Sequence, residues 1–260
     1  MPLNKWSRDE LILAFNLYCR TPFGRIHTGN SEIIHLAQAI GRTPSAVSWK
    51  MVNFASLDPS ITRTGRVGAT HGSKSDADVW DEFSQDWDRL AVESAMLLAQ
   101  MEFRPMAEIL TQEEAATLPE GRMREALVKV RIGQSFFRAS VLAAYDFRCC
   151  ISGLTVPELL NAGHIVPWST DSAQRTNPSN GLCLNAVLDR AYDRGLLTVL
   201  PDRTVQLSSS LRYKQVDAAI TSLLLRYHGL KIQAPHRFEP DPALLLWHNN
   251  NVFRNDIEDA

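Results

Sequence analysis

The middle of the chain constrains the fold most, because it joins several short elements through polar turns. The apolar runs CCISGL at 149–154 and LLNAGHIVPW at 159–168 predict two short strands, the first leading into a glycine turn. After a polar loop, NGLCLNAVLDRAYDRG at 180–195 predicts a helix, and LLTVLPDRTVQLS at 196–208 predicts a hairpin. The centre is therefore expected to contain two strands, a loop and a helix, with His164 at the end of the second strand.

The first third of the chain has the apolar spacing of helices. Ser7 followed by Glu10 is a capping-box pattern, and it opens a predicted helix over residues 7–19. A short extended run at the start of VKVRIGQSFFRASVLAAYDFRCC is expected to lead into another helix over 134–145. Helices in the first third and short strands in the centre predict an α+β fold class.

Two helices predicted around Gly41 have the pattern of a helix-turn-helix. The first covers 31–40 and the second covers 44–56, after a tight glycine turn. The second helix would present Ser48 and Lys50 outward, where they could contact DNA. The alternative is a helical bundle in which this helix only packs.

An acidic amphipathic helix is predicted over residues 76–101. Its apolar stripe, at steps of three and four, is longer than a small helical domain needs to bury, and it comprises Trp80, Phe83, Trp87 and Leu90. We therefore expect this stripe to form the interface of a twofold homodimer. The alternative is that the stripe packs inside its own subunit against the first three helices.

The net charge of −2 conceals an uneven distribution. Residues 1–72 hold eight Lys and Arg against four Asp and Glu, whereas residues 73–122 hold four against twelve. Residues 123–260 hold fifteen Lys and Arg against thirteen Asp and Glu. Because both ends of the chain are mildly basic, the total charge does not exclude a nucleic-acid partner. Two prolines within 103–122 indicate a linker, which separates a helical domain over 1–102 from the domain that begins at residue 123.

Cysteine usage and hydropathy bound the class of protein. Two of the four cysteines are adjacent and no C-x-x-C pair occurs, so neither a disulfide framework nor a structural zinc site is expected. No uncharged apolar run approaches the ~18 residues of a membrane helix, and acidic residues near the start disfavour a secretory signal. The sequence therefore predicts a cytoplasmic protein with no membrane association.

The central motif resembles the HNH endonuclease family. The likeness covers YDFRCCISGL, NAGHIVPW and NPSNGLCLNAVLDRAYDRGLLTV, over about residues 131–208, and the N-terminal region resembles that of bacterial HNH proteins of the predicted restriction-endonuclease type. This resemblance implies a ββα-metal core over about residues 145–195 and a DNA endonuclease of restriction or phage defence. It also implies a divalent metal cofactor.

The residues of the motif can be assigned roles on chemical grounds. His164 could accept a proton from water, because imidazole titrates near neutral pH. Asp189 and Asp193 lie one helical turn apart, and their carboxylates suit Mg²⁺ or Mn²⁺. By the resemblance, Asn180 braces the loop that carries the histidine, and Asp189 stands where the family places a metal-binding side chain.

The sequence departs from the family pattern at two positions. Gly163 precedes the histidine, where the family often has Asp or His as a metal ligand, and Leu188 and Asp189 stand where the motif has its last histidine. These departures motivate an alternative of a different class, a DNA-binding regulator with a degenerate, inactive HNH core. Basic and amide side chains near the motif are expected to contact phosphate or to form structural ion pairs; they are Arg131, Gln134, Arg138 and Arg148.

Overall fold

The computed structural model describes residues 5–62, 72–103, 122–213 and 218–254. The chain divides into two compact units, residues 1–143 and residues 144–260. Most of the predicted linker over 103–122 lies outside the described residues. The division comes later in the chain than the expected boundary at residue 123, because the helix that begins at Arg122 belongs almost entirely to the first unit.

The first unit is helical. Its helices are α1 Arg8–Arg20, α2 Ser31–Ala39, α3 Pro44–Leu57, α4 Pro59–Thr62, α5 Lys74–Phe83, α6 Trp87–Met101 and α7 Arg122–Ala144. The capping box of Ser7 and Glu10 begins α1, as predicted. Gly41 takes a φ of +66° between α2 and α3, and Thr43 caps α3 with Pro44 at its first position. The two helices around Gly41 are thus confirmed, whereas their use as a DNA-binding helix-turn-helix stays a prediction.

Two predicted elements of this unit differ from the structure. The acidic stretch over 76–101 is two helices rather than one, since α5 ends at Phe83 and Asp86 caps α6 through the backbone N–H of Arg89. The run predicted as extended after residue 123 belongs to α7. Helical packing overrides the strand propensity of its valines.

The apolar stripe of α5 and α6 lies inside the first unit. The ring of Phe15 on α1 lies 5.1 Å from that of Trp80 and 6.0 Å from that of Trp87. Phe83 and Leu90 are fully buried. The prediction that this stripe forms a homodimer interface is therefore wrong, because helices of the same chain cover it.

The second unit combines small sheets with helices. Its elements are β1 Leu160–His164, β2 Gly181–Asn185, α8 Ala186–Asp193, β3 Leu197–Val199, β4 Val205–Leu207, α9 Ser209–Tyr213, α10 Ala218–Leu223 and α11 Pro242–Asn251. Strands β1 and β2 pair antiparallel, with Leu160 opposite Asn185 and His164 opposite Gly181. The predicted hairpin is confirmed as β3 and β4. None of the helices in the described ranges combines the length and apolar character needed to cross a bilayer.

Of the two strands beside the helix, β1 confirms the strand predicted over 159–168, whereas β2 was not predicted as a strand. Residues 149–154 form turns, and the segment predicted as the start of a helix at Asn180 is instead strand β2. Leu182, Cys183 and Leu184 are all fully buried in this strand. Such a continuous apolar run does not distinguish a buried strand from a helix, and the helix begins only after Asn185, which caps it.

Candidate functional site

His164 ends strand β1 and leads into the loop between the two strands. Its Nε2 lies 2.9 Å from the carbonyl oxygen of Arg175. A carbonyl can only accept a hydrogen bond, so Nε2 carries the proton and Nδ1 of the neutral ring keeps its lone pair. This arrangement fixes the tautomer that a base acting at Nδ1 requires.

The surroundings of His164 keep the ring neutral at physiological pH. Burial lowers its pKa below the ordinary value, while the hydrogen bond to Arg175 and the negative charge of Asp193 act in the opposite direction. The ring of Trp168 meets the imidazole edge-on at 5.7 Å between centroids. Arg175 also donates from Nε to the carbonyl oxygen of Trp168 at 2.9 Å, and this hydrogen bond joins two parts of the loop between β1 and β2.

Asn180 is fully buried and holds the loop from within. Its Oδ1 accepts from the backbone N–H of Val166 at 2.8 Å, and its Nδ2 donates to the carbonyl oxygens of Val166 and Gln174 at 3.0 Å each. All three contacts are to backbone on the same loop that carries His164. Asn180 therefore holds together the loop that follows His164, while its role in positioning the histidine for a reaction stays a prediction.

Asp189 lies in the first turn of α8, against strand β1. Its Oδ2 accepts a hydrogen bond of 2.8 Å from Nδ2 of Asn161. Its Oδ1 lies over Gly163, where an ideal Cβ would come within 2.5 Å. The glycine that departs from the family pattern is thus the residue that leaves room for the Asp189 carboxylate.

Asp193 and His164 line one open groove together with Asp189. The groove is formed by the end of β1, the following loop and one side of α8; its lining residues are Ala162, Gly163, His164, Pro167, Trp168, Ser169, Asp189, Arg190, Asp193 and Arg194. Asp193 is exposed overall, yet partial burial of its carboxyl group raises the pKa above its ordinary value, against the positive charges of Arg190 and Arg194. The two predicted carboxylates and the predicted base therefore share one surface.

The donor set of this groove fits one kind of metal site. Among the described residues, no group of three or more His, Cys, Asp and Glu side chains has the arrangement of a metal centre. A magnesium ion, however, commonly takes only one or two carboxylates from the protein and completes its shell with water and substrate phosphate. Asp189 and Asp193 fit a site of that kind.

The predicted phosphate-contacting residues are not among the residues that line this groove. Arg131, Gln134 and Arg138 lie on α7 in the first unit, and the guanidinium of Arg131 donates to Gln134 Oε1 at 3.3 Å. Arg148 is exposed in the second unit and donates to the carbonyl oxygen of Gly153 at 3.1 Å. Their contact with DNA stays a prediction.

The prediction that Ser48 and Lys50 face outward from α3 is wrong. Ser48 is 9% exposed and Lys50 is 7% exposed. Lys50 Nζ donates to Asp76 Oδ1 at 2.8 Å, and Asp76 is itself completely buried. Helix α5 thus covers Lys50, while Trp49, which lies between the two residues in sequence, remains 63% exposed.

Asn161 and Arg175 are the polar residues of the site that the sequence did not single out. Alternate residues of a strand point to the same side, so the period of β1 places Asn161 beside Gly163, and that signal was available in the sequence. Arg175 uses its backbone carbonyl toward His164, which no side-chain pattern can reveal. Three cysteines of the second unit, Cys149, Cys150 and Cys183, are buried.

Comparison with known proteins agrees with this geometry. Residues 149–200 match the HNH endonuclease family, and the match contains β1, β2, α8 and the groove. No curated protein matches the chain. HNH nucleases generally use divalent metal ions, and an HNH domain indicates nuclease activity with DNA as substrate. The chain therefore carries an HNH endonuclease domain over residues 149–200.

Proposed function

We propose that the protein is a metal-dependent DNA endonuclease that hydrolyses phosphodiester bonds. The observation that carries this proposal is the meeting of His164, Asp189 and Asp193 on one open groove. The histidine there has the tautomer of a base, and the two carboxylates have the chemistry of cation ligands.

His164 would accept a proton at Nδ1 from the attacking water. The water oxygen then bonds to phosphorus and the bond to the 3′ oxygen breaks; the leaving oxygen takes a proton from a second water molecule to become a 3′-hydroxyl, and the protonated His164 later returns its proton to solvent. The products would be ends that carry a 5′-phosphate and a 3′-hydroxyl. The lowered pKa of His164 favours this role, because a neutral ring is the form that can accept a proton.

Asp189 and Asp193 would hold Mg²⁺ or Mn²⁺ beside the base. When bound, such an ion supplies a Lewis acid for the scissile phosphate and stabilises the leaving oxygen. Asp189 would serve through the oxygen that lies over Gly163, since its other oxygen accepts from Asn161.

The substrate would be bound by cationic side chains along the groove. Arg190 and Arg194 are exposed and line the same groove as the carboxylates, so they can reach backbone phosphates there. A role in restriction or phage defence, within the cytoplasm, is proposed from the family resemblance.

Plasmid cleavage tests the proposal directly. The purified protein with Mg²⁺ or Mn²⁺ is expected to nick or linearise supercoiled DNA, and His164→Ala is expected to lower the rate by about 10²–10⁴-fold. His236→Ala is the matched control, because His236 is an exposed histidine of the same unit that does not line the groove. Cleavage at the wild-type rate by His164→Ala contradicts the assignment of the base.

A DNA-binding regulator with an inactive HNH core is the second candidate. It is favoured by Leu188, which is buried at a position where the family motif has a metal-binding histidine, and by the lack of a three-ligand cluster among the described residues. Calorimetry with Mg²⁺ and Mn²⁺ in the presence of duplex DNA separates the two. Metal binding with cleavage supports the nuclease, whereas DNA binding without either supports the regulator.

A further inference from the structure

The Asp189 carboxylate contacts strand β1 through both of its oxygens, one hydrogen bonded by Asn161 and the other lying against Gly163. Asn161 Nδ2 donates to Oδ2 at 2.8 Å, and Oδ1 occupies the space that a side chain at residue 163 would fill. Asn161 and Gly163 stand two residues apart and pair across the sheet with Leu184 and Leu182. A rigid strand therefore sets where the carboxylate lies.

Helix α8, which carries Asp189, is also fixed to the sheet. Helix α8 begins at Ala186 and is capped by Asn185, whose Oδ1 accepts from the backbone N–H groups of Val187 and Leu188 at 3.1 Å and 3.0 Å. Asn185 is also the last residue of β2, so the helix starts directly from the sheet. Asp189 therefore leaves a rigid helix and meets a rigid strand, which favours one orientation of its carboxylate.

We propose that Asn161 is a positioning residue that orients the Asp189 carboxylate for a divalent cation, with Gly163 providing the space for it. This inference rests on the proposed nuclease function. The chemistry of the donor matters, because a neutral amide orients a carboxylate without cancelling its negative charge. A lysine or arginine at residue 161 would neutralise the ligand and compete with the cation.

Replacement of Asn161 by Leu tests the hydrogen bond while nearly keeping side-chain volume. Manganese affinity is measured by electron paramagnetic resonance in a His164→Ala background, with duplex DNA present, so that no cleavage occurs during the titration. Loss of a hydrogen bond to a ligand typically weakens metal binding about 10–100-fold, and we expect Asn161→Leu to weaken Mn²⁺ binding by that factor. Val187→Ala, an exposed position of the same helix outside the groove, is expected to leave the affinity unchanged.

Gly163→Ala is the second, independent variant. Its methyl group would displace the end of the Asp189 side chain, which is flexible enough to move without disturbing the backbone. We expect a folded protein, as judged by its thermal melting, whose Mn²⁺ affinity falls at least as far as that of Asn161→Leu. If folded Gly163→Ala keeps the wild-type affinity for Mn²⁺, the proposal that Gly163 provides space for the Asp189 carboxylate is contradicted.

A double-mutant cycle distinguishes positioning from a general structural role. In an Asp189→Ala background, Asn161→Leu should have no further effect on Mn²⁺ affinity, because the carboxylate that it orients is gone. An equal effect in both backgrounds overturns the proposal for Asn161. Failure of the nuclease function gives a different result. A wild-type chain that neither binds Mn²⁺ nor cleaves DNA overturns both proposals. A wild-type chain that cleaves DNA, together with Asn161 and Gly163 variants whose Mn²⁺ affinity is unchanged, overturns only the proposal for Asn161.

Discussion

The charged side chains of the helical unit and those of the groove have different surroundings. In the helical unit, Arg8 forms ion pairs of 2.6 Å with Glu82 and with Glu93, and Lys50 pairs with buried Asp76. In the groove, no ion pair of Arg190 or Arg194 occurs among the described residues, and both are exposed. Two cations from the basic start of the chain, Arg8 and Lys50, are thus paired with acidic residues of α5 and α6, whereas Arg190 and Arg194 are exposed on α8.

This contrast shows why segment charge is a poor guide to a binding surface. The excess of basic residues over 1–72 and the acidic excess over 73–122 indicate two surfaces of opposite sign when they are counted along the chain. In the folded unit, Arg8 and Lys50 of the first segment form ion pairs with Glu82, Glu93 and Asp76 of the second, so these charges are neutralised inside one domain. Local exposure, rather than local composition, decides which cations can meet phosphate.

The largest expected effect concerns the buried ion pair of the helical unit. Lys50→Met should lower the free energy of unfolding by about 3–5 kcal/mol, because it leaves Asp76 as a buried charge without its cation. Urea denaturation of the intact chain measures this loss. Lys74→Met, at an exposed lysine that begins α5, should change stability by less than about 0.5 kcal/mol.

A different outcome for Lys50→Met would support the earlier prediction that Lys50 contacts DNA. If Lys50→Met left the unfolding free energy unchanged and weakened DNA binding, the side chain would have to be accessible in solution. The buried contact with Asp76 would then not describe the functional state of α3.

A buried histidine of the second unit should make its stability depend on pH. His248 is 1% exposed; its Nδ1 lies 2.9 Å from the hydroxyl of Thr198 and its Nε2 lies 3.3 Å from the carbonyl oxygen of Tyr192. Burial lowers its pKa from 6.5 to about 4. The unfolded chain therefore binds more protons between these values, so the stabilisation is full above pH 6.5 and is lost as the pH falls toward 4.

The size of that loss is about 3 kcal/mol, since each unit of difference in pKa corresponds to about 1.4 kcal/mol. His248→Gln cannot titrate, so the difference in unfolding free energy between this variant and the wild type should vary with pH between 6.5 and 4 and stay constant above 7. Urea denaturation at a series of pH values provides the measurement. A difference that does not change with pH would show that His248 keeps an ordinary pKa.

Asn180 allows a similar stability test of the loop that follows His164. Asn180→Ala removes three hydrogen bonds from loop backbone groups and should cost about 2 kcal/mol, because buried N–H and carbonyl groups lose their partners. Cleavage should fall by more than the unfolded fraction explains, since the same loop carries His164. Asn251→Ala, at an exposed helix position, should alter neither stability nor cleavage.

Sequence patterns predicted the site better than they predicted the surfaces around it. His164, Asn180, Asp189 and Asp193 were chosen from one short segment by their chemistry and by the family resemblance; three of them line the groove, and Asn180 binds backbone groups of its loop, while their roles stay predictions. The burial of Lys50 could not be predicted in this way, because it depends on Asp76, which lies 26 residues away on another helix. Periodicity identifies the faces of a helix, but it does not state which face a later helix covers.

The smallest expected effect on stability, and the sharpest test of the contrast, concerns the exposed arginines. Arg190→Gln and Arg194→Gln should each change the unfolding free energy by less than about 0.5 kcal/mol, because both side chains are exposed on α8. Each should reduce the slope of DNA affinity against salt concentration by about one, since each removes one phosphate contact. Arg89→Gln is the matched control: Arg89 pairs with Glu82 and Glu93 in the helical unit, so its loss should leave the slope unchanged. Filter binding of duplex DNA to the His164→Ala protein over a range of salt concentrations measures these slopes, and a smaller slope for Arg89→Gln than for Arg190→Gln would transfer the DNA-binding surface to the helical unit.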